Sequence, residues 1–129
     1  MNKMKPEIKQ KWIEELRNPN NKQNFGRLHF VCQEEETFCA LGVLGNIFVN
    51  EFPFQYEWSK KNSRILKIGD EEEKPMFQEV NKWANIDVNE NPRIYYPPLK
   101  RKVGILALND AFQLSFAEIA DLLEQDESV

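Results

Sequence analysis

Thr37-Phe38-Cys39-Ala40-Leu41-Gly42-Val43-Leu44-Gly45-Asn46-Ile47-Phe48 is the longest apolar run in an otherwise polar chain. A run this apolar must be buried, so it reads as the central element of the core, a helix over about 40–50 that Pro53 ends. Cys39 then lies at the helix N-terminus, where a thiolate is electrostatically favoured. It is the one position at which local physics points to chemistry. Gly42 and Gly45 allow close approach of another element. They form no phosphate-binding loop, because no Walker or dinucleotide fingerprint is present.

Outward from this run the pattern alternates between helix and strand signals. Upstream, Pro6 opens a helix that carries Ile8, Trp12, Ile13 and Leu16 on one face and ends near Arg17. Asn18-Pro19-Asn20-Asn21 makes a polar loop. Leu28, Phe30 and Cys32 alternate with Arg27, His29 and Val31, a strand with Cys32 facing the core. Glu34-Glu35-Glu36 reads as the exposed turn of a hairpin that returns through Thr37-Phe38. Downstream, Phe54, Tyr56 and Trp58 mark a strand that residues 64–68 can pair. Pro75 starts a helix with Met76, Phe77, Val80, Trp83 and Ala84. Ile94-Tyr95-Tyr96 is a brief extended piece, and 102–112 reads as a short helix. Ser115 and Glu118 form a capping box at the head of a last helix with Phe116, Ile119, Ala120, Leu122 and Leu123 inward. The expectation is a single α+β domain over 1–129, with four to five helices and a small antiparallel sheet.

The bulk composition narrows the function classes. The chain has 129 residues, a net charge of -4, two cysteines and one histidine. An acidic chain argues against nucleic-acid binding, which needs a basic face. The short basic clusters Lys60-Lys61 and Lys100-Arg101-Lys102 read as solvated loop charge. Two cysteines make no disulfide framework, and two Cys with one His make no zinc site. No metal or cofactor is expected. No apolar run reaches the roughly 20 residues that span a bilayer. The polar N-terminus is no signal peptide, so a cytoplasmic protein with reduced thiols is expected.

Several side chains are candidates for a site. Cys39 can act as a nucleophile with His29, the only histidine, as its base; the alternative is a small buried core residue. Asn109-Asp110, between two apolar faces, can bind a ribose or a purine edge, or else terminate a helix. Arg17, Gln23, Arg27 and His29 form a polar set, and arginine suits bidentate contact with phosphate. Their alternative is surface pairing with Glu34-Glu35-Glu36. Trp58 and Tyr95-Tyr96 are better placed to stack a base than Trp12 and Trp83, which lie on apolar helix faces.

Three segments carry a family resemblance: Trp12-Ile13-Glu14-Glu15-Leu16-Arg17 followed by Gln23 and Gly26-Arg27-Leu28; Phe38-Cys39-Ala40-Leu41-Gly42-Val43-Leu44; and Leu108-Asn109-Asp110 followed by Ser115-Phe116-Ala117-Glu118-Ile119-Ala120-Asp121. In order and spacing the chain resembles a family of small uncharacterised proteins of phages and bacterial mobile elements. Members of that family often have further cysteines at the positions of Ala40 and Gly45. This chain has neither, which weakens any mechanism that uses paired thiols. The resemblance implies a phage-type setting of host takeover or anti-defence.

Three classes of function stay open at this point. The first is a homo-oligomeric sponge that holds an anionic small molecule, a cyclic nucleotide or an ADP-ribose derivative, through Arg17, Gln23, Arg27, His29, Asn109 and Asp110. The second is a thiol hydrolase or transferase that uses Cys39 and His29. The third is an inhibitor of a host enzyme, acting through the acidic residues of 70–73 and 124–127.

Overall fold

The computed structural model describes residues 3–59, 64–69, 77–86 and 91–129. Its helices are α1 (Pro6–Arg17), α2 (Ala40–Glu51), α3 (Phe77–Ala84), α4 (Ile105–Asp110) and α5 (Phe116–Gln125). Its strands are β1 (Lys22–Gln23), β2 (His29–Cys32), β3 (Glu35–Phe38), β4 (Tyr56–Trp58), β5 (Ile65–Lys67), β6 (Arg93–Tyr96) and β7 (Arg101–Gly104). The fold is α+β, as the periodicities predict. Lys60-Lys61, residues 70–73 and the Pro75-Met76 helix start lie outside the described residues.

The apolar run is indeed the centre. Every residue from Phe38 to Gly45 is buried, as are Ile47 and Phe48. A helix apolar all round must be covered all round, and α1, α3 and α4 pack on it. Trp12 is fully buried and donates its indole N–H to the Ala40 carbonyl at 3.0 Å, which locks α1 to the first turn of α2. Fully buried Ile94, Ile105, Leu108, Ile119 and Leu123 extend the core beneath β6, α4 and α5. The capping box of α5 is complete, with Ser115 Oγ accepting from the Glu118 amide and Glu118 Oε1 from the Ser115 amide, each at 3.1 Å.

Among the described residues the strands form three small sheets. In the first, β3 pairs antiparallel with β2 and parallel with β1, so the order is β1-β3-β2. The antiparallel ribbons β4-β5 and β6-β7 complete the set. Two elements differ from expectation. Lys22–Gln23 carries no element in the sequence pattern, because a two-residue strand has no periodicity to show. The strand Arg101–Gly104 overlaps the start of the helix expected over 102–112. It forms because Pro97–Leu99 and a left-handed Lys100 (φ 52°) fold the chain back onto β6.

The β2-β3 hairpin also corrects a face assignment. Its turn is Gln33-Glu34, both at positive φ (52° and 68°), a two-residue type I′-like connection. Glu35 and Glu36 belong to β3 rather than to the turn. Phe30, Val31 and Cys32 are all exposed, so Cys32 does not face the core. The base of the hairpin is held tightly all the same. A Cβ on Gly42 would lie 1.7 Å from the Leu28 carbonyl oxygen, so only glycine lets this strand lie on α2.

Candidate functional site

The site grows from Asn109, at the end of α4. Asn109 is fully buried, and every hydrogen-bonding position on its amide is committed. Its Oδ1 accepts from the Ala40 amide at 3.0 Å and from Gln23 Nε2 at 2.8 Å. Its Nδ2 donates to the Asn24 carbonyl at 2.9 Å and to Asp110 Oδ1 at 2.6 Å. Gln23 Nε2 also donates to the Leu114 carbonyl. The two amides of Asn109 and Gln23 thus tie together β1, the start of α2, α4 and the loop before α5. The sequence-predicted pair Gln23 and Asn109 is brought together, but as a clamp whose polar groups are already partnered within the fold.

Beside the clamp is a pocket of about 200 Å³ lined by Gly26, Arg27, Leu28, Cys39, Leu41, Leu106 and Asp110. Asp110 Oδ1 accepts from the Gly26 amide at 2.9 Å as well as from Asn109. Among the described residues its second oxygen makes no hydrogen bond. The main chain of Arg27 is fixed: its N–H donates to Asn24 Oδ1 and its carbonyl accepts from the Cys39 amide. Its guanidinium carbon lies 4.4 Å from the centroid of the Phe30 ring. Among the described residues that guanidinium makes no hydrogen bond and no ion pair. Arg27 thus lines the pocket from a fixed backbone, with its guanidinium stacked on the Phe30 ring.

Cys39 lines the same pocket as the N-cap of α2, with Sγ accepting from the Gly42 amide at 3.4 Å. The expected activation does not occur. Burial pushes the thiol up to about 11; the Gly42 and Leu41 amides act the other way, and the Asp110 carboxylate adds to the rise. A helix N-terminus is worth about 1 kcal/mol or less to an anion, and desolvation outweighs it.

His29 does not complete a dyad with it. Its Nε2 is 2.8 Å from Glu36 Oε2, and its ring stacks on Trp58 at 4.6 Å and lies 5.4 Å from that of Phe38. His29 opposes Phe38 across the hairpin, so the two share a face. Cys39 follows Phe38 in extended backbone and projects to the other side.

Arg17 also stands apart. It pairs with Asp121 at 2.8 Å and Glu124 at 2.6 Å on α5, and these hydrogen bonds hold its pKa above the usual value. Trp58 is a packing residue, its indole donating to Asn46 Oδ1. Tyr95 is exposed and Tyr96 packs on Phe112, and neither tyrosine lines the pocket. Of the acidic tail, Glu124 is held by Arg17. Asp126 accepts from the Tyr95 amide and from Ser128.

Sequence reasoning missed a second concavity, of about 350 Å³, between α2 and α3. Phe48, Phe52, Tyr56 and Trp83 line it, with Gln55, Glu79 and Lys82. The signal was present in the i, i+4 spacing of Phe48 and Phe52 and in Tyr56 four residues further on, but Trp83 was read as core. Among the described residues, no cluster of three or more His, Cys, Asp or Glu side chains could hold a metal ion. No helix there is long and apolar enough to cross a membrane.

A family model described as "Domain of unknown function (DUF8296)" matches residues 4–127, and the chain belongs to that family. No curated protein and no solved structure matches it.

Proposed function

We propose that this member of the family binds and sequesters a phosphate-bearing small molecule, a nucleotide-derived signal, in the Arg27–Asp110 pocket and leaves it chemically unchanged. The guanidinium of Arg27, in no ion pair among the described residues and borne by a residue that lines an apolar pocket, carries this reading. A phosphate is the natural bidentate partner for it. The walls Leu28, Leu41 and Leu106 suit the faces of a base, and the second oxygen of Asp110 suits an exocyclic amino group. A volume of about 200 Å³ is small for a ligand pocket, so it takes one base-sized moiety and leaves the rest of the ligand at the surface.

That exposed remainder supports a homo-oligomer. Phe25 is 53% exposed, and Phe30, on which the Arg27 guanidinium stacks, is also open to solvent. Apolar groups of this size beside a shallow pocket favour a second copy that covers them and closes over the ligand. The setting of phage anti-defence in a host cytoplasm rests on the three resembling segments, not on the pocket. Against catalysis stand a thiol made less acidic by burial and a histidine on the other face of the hairpin.

The test is native mass spectrometry of the purified protein with cyclic oligonucleotides and ADP-ribose derivatives. An added mass that stays constant with time supports sequestration. A bound mass that shrinks with time would move the assignment to an enzyme. No adduct on folded protein would remove it.

A further inference from the structure

The cleft between α2 and α3 has a different chemistry from the Arg27 pocket, and nothing in the proposed function uses it. Phe48 is its almost fully buried floor, with ring centroids 5.1 Å from Phe52, 4.7 Å from Tyr56 and 5.4 Å from Trp83. The three outer rings are half-buried. Phe52 stands 6.5 Å from Tyr56 at 71°, and 6.3 Å from Trp83 at 80°. Edge-to-face spacings of this size are ordinary aromatic packing, with Phe48 at the centre of the cluster. Phe52, Tyr56 and Trp83 also line the cleft, and a compact cation within about 6 Å of such rings is attracted to them.

Charge supports the same occupant. Glu79 lies one turn before Trp83 on α3 and lines the cleft with it. Among the described residues Glu79 makes no ion pair. Lys82 lines the cleft too and opposes a cation, so its position gives the idea a signed test.

We infer that this cleft is a second binding site, for a small quaternary ammonium compound, with Phe52, Tyr56 and Trp83 as the walls and Glu79 as the counter-charge. A fully methylated ammonium fits best because it is weakly hydrated, donates no hydrogen bond and presents its charge through methyl groups to ring faces.

The experiment is an NMR titration of the whole chain with choline, followed at the three indole N–H signals. The Trp83 signal should shift in a saturable way at millimolar choline. Those of Trp12 and Trp58, bonded to Ala40 and Asn46 within the fold, should stay in place. The neutral isostere 3,3-dimethyl-1-butanol should bind at least tenfold more weakly. Both α3 charges are exposed, so they can be exchanged without disturbing the core. Glu79→Gln should weaken choline severalfold and Lys82→Gln should strengthen it. Equal binding of the neutral isostere, no shift at 50 mM choline, or Lys82→Gln and Glu79→Gln changing affinity in the same direction would each overturn the inference. Arg27→Ala should leave this titration untouched, so failure here and failure of the nucleotide site are separate results.

Discussion

Asn109 and Asp110 are neighbours in sequence and opposite in employment. Around Asn109 the fold has answered every hydrogen bond, and the result is a clamp joining segments more than 80 residues apart. One residue on, Asp110 keeps an oxygen with no hydrogen bond among the described residues, and it lines a pocket with Arg27, which makes no ion pair there. The clamp is where the structure is held, and the pocket is where it is left incomplete. Buried polar groups in a finished fold are partnered. Unpartnered charge beside apolar walls and exposed aromatic rings is therefore the better mark of a binding surface than polarity alone.

The comparison breaks most easily at the foundation both regions share. Gly42→Ala would drive a methyl group into the Leu28 carbonyl, with no flexible side chain to yield. We expect a loss of about 3 kcal/mol or more in urea unfolding, together with release of the hairpin that carries Arg27 and Phe30. Asn109→Ala should cost about 3 kcal/mol, because the Ala40 amide and the Gln23 side chain lose their acceptor in a buried place. Its conservative counterpart on the pocket side, Asp110→Asn, keeps an acceptor for Gly26 and should cost about 1 kcal/mol or less, while ligand affinity falls. Equal losses for the two would erase the distinction between clamp and pocket. Ser115→Ala, remote from both, removes one half of the capping box and should cost about 1 kcal/mol.

The two cysteines sharpen the same contrast by reactivity. Cys39 is buried and Cys32 is exposed at the hairpin tip. With its thiol pushed from an ordinary 9.0 to about 11, folded Cys39 carries about a hundredfold less thiolate at pH 7 than an ordinary thiol. Iodoacetamide should therefore modify Cys32 in the native protein and Cys39 only on unfolding. The sign of the pH effect follows. Folding favours the neutral thiol, so this contribution to stability is complete below pH 9 and is lost as the pH rises towards 11. Cys39→Ala should flatten that alkaline decline. Rapid labelling of native Cys39 would restore the case for a nucleophile.

Much of the fold was legible because it depends on local pattern. The apolar run, the i, i+4, i+8 spacing of Ile8, Trp12 and Leu16, and the Ser115/Glu118 box place three of the five described helices directly. What stayed hidden depends on long-range pairing. Lys22–Gln23 is a strand only because Thr37 and Phe38 pass beside it. Alternation in 28–32 marks a strand but cannot say that the hairpin projects outward and exposes Cys32. The candidate site divides the same way. Residue type singled out Gln23, Arg27, Asn109 and Asp110. Only the fold shows that Gln23 and Asn109 are committed to each other, that Arg17 belongs to Asp121 and Glu124 on α5, and that His29 pairs across the hairpin with Phe38 rather than facing Cys39.

The most direct test of the central claim is a calorimetric titration of a cyclic dinucleotide and of ADP-ribose into the native protein and into Arg27→Ala, with thermal unfolding of both proteins run alongside. The guanidinium makes no ion pair within the described fold, so the variant should melt at nearly the wild-type temperature. Its affinity for whichever ligand binds should fall at least tenfold. Unchanged affinity in a normally folded Arg27→Ala would contradict the assignment of this pocket.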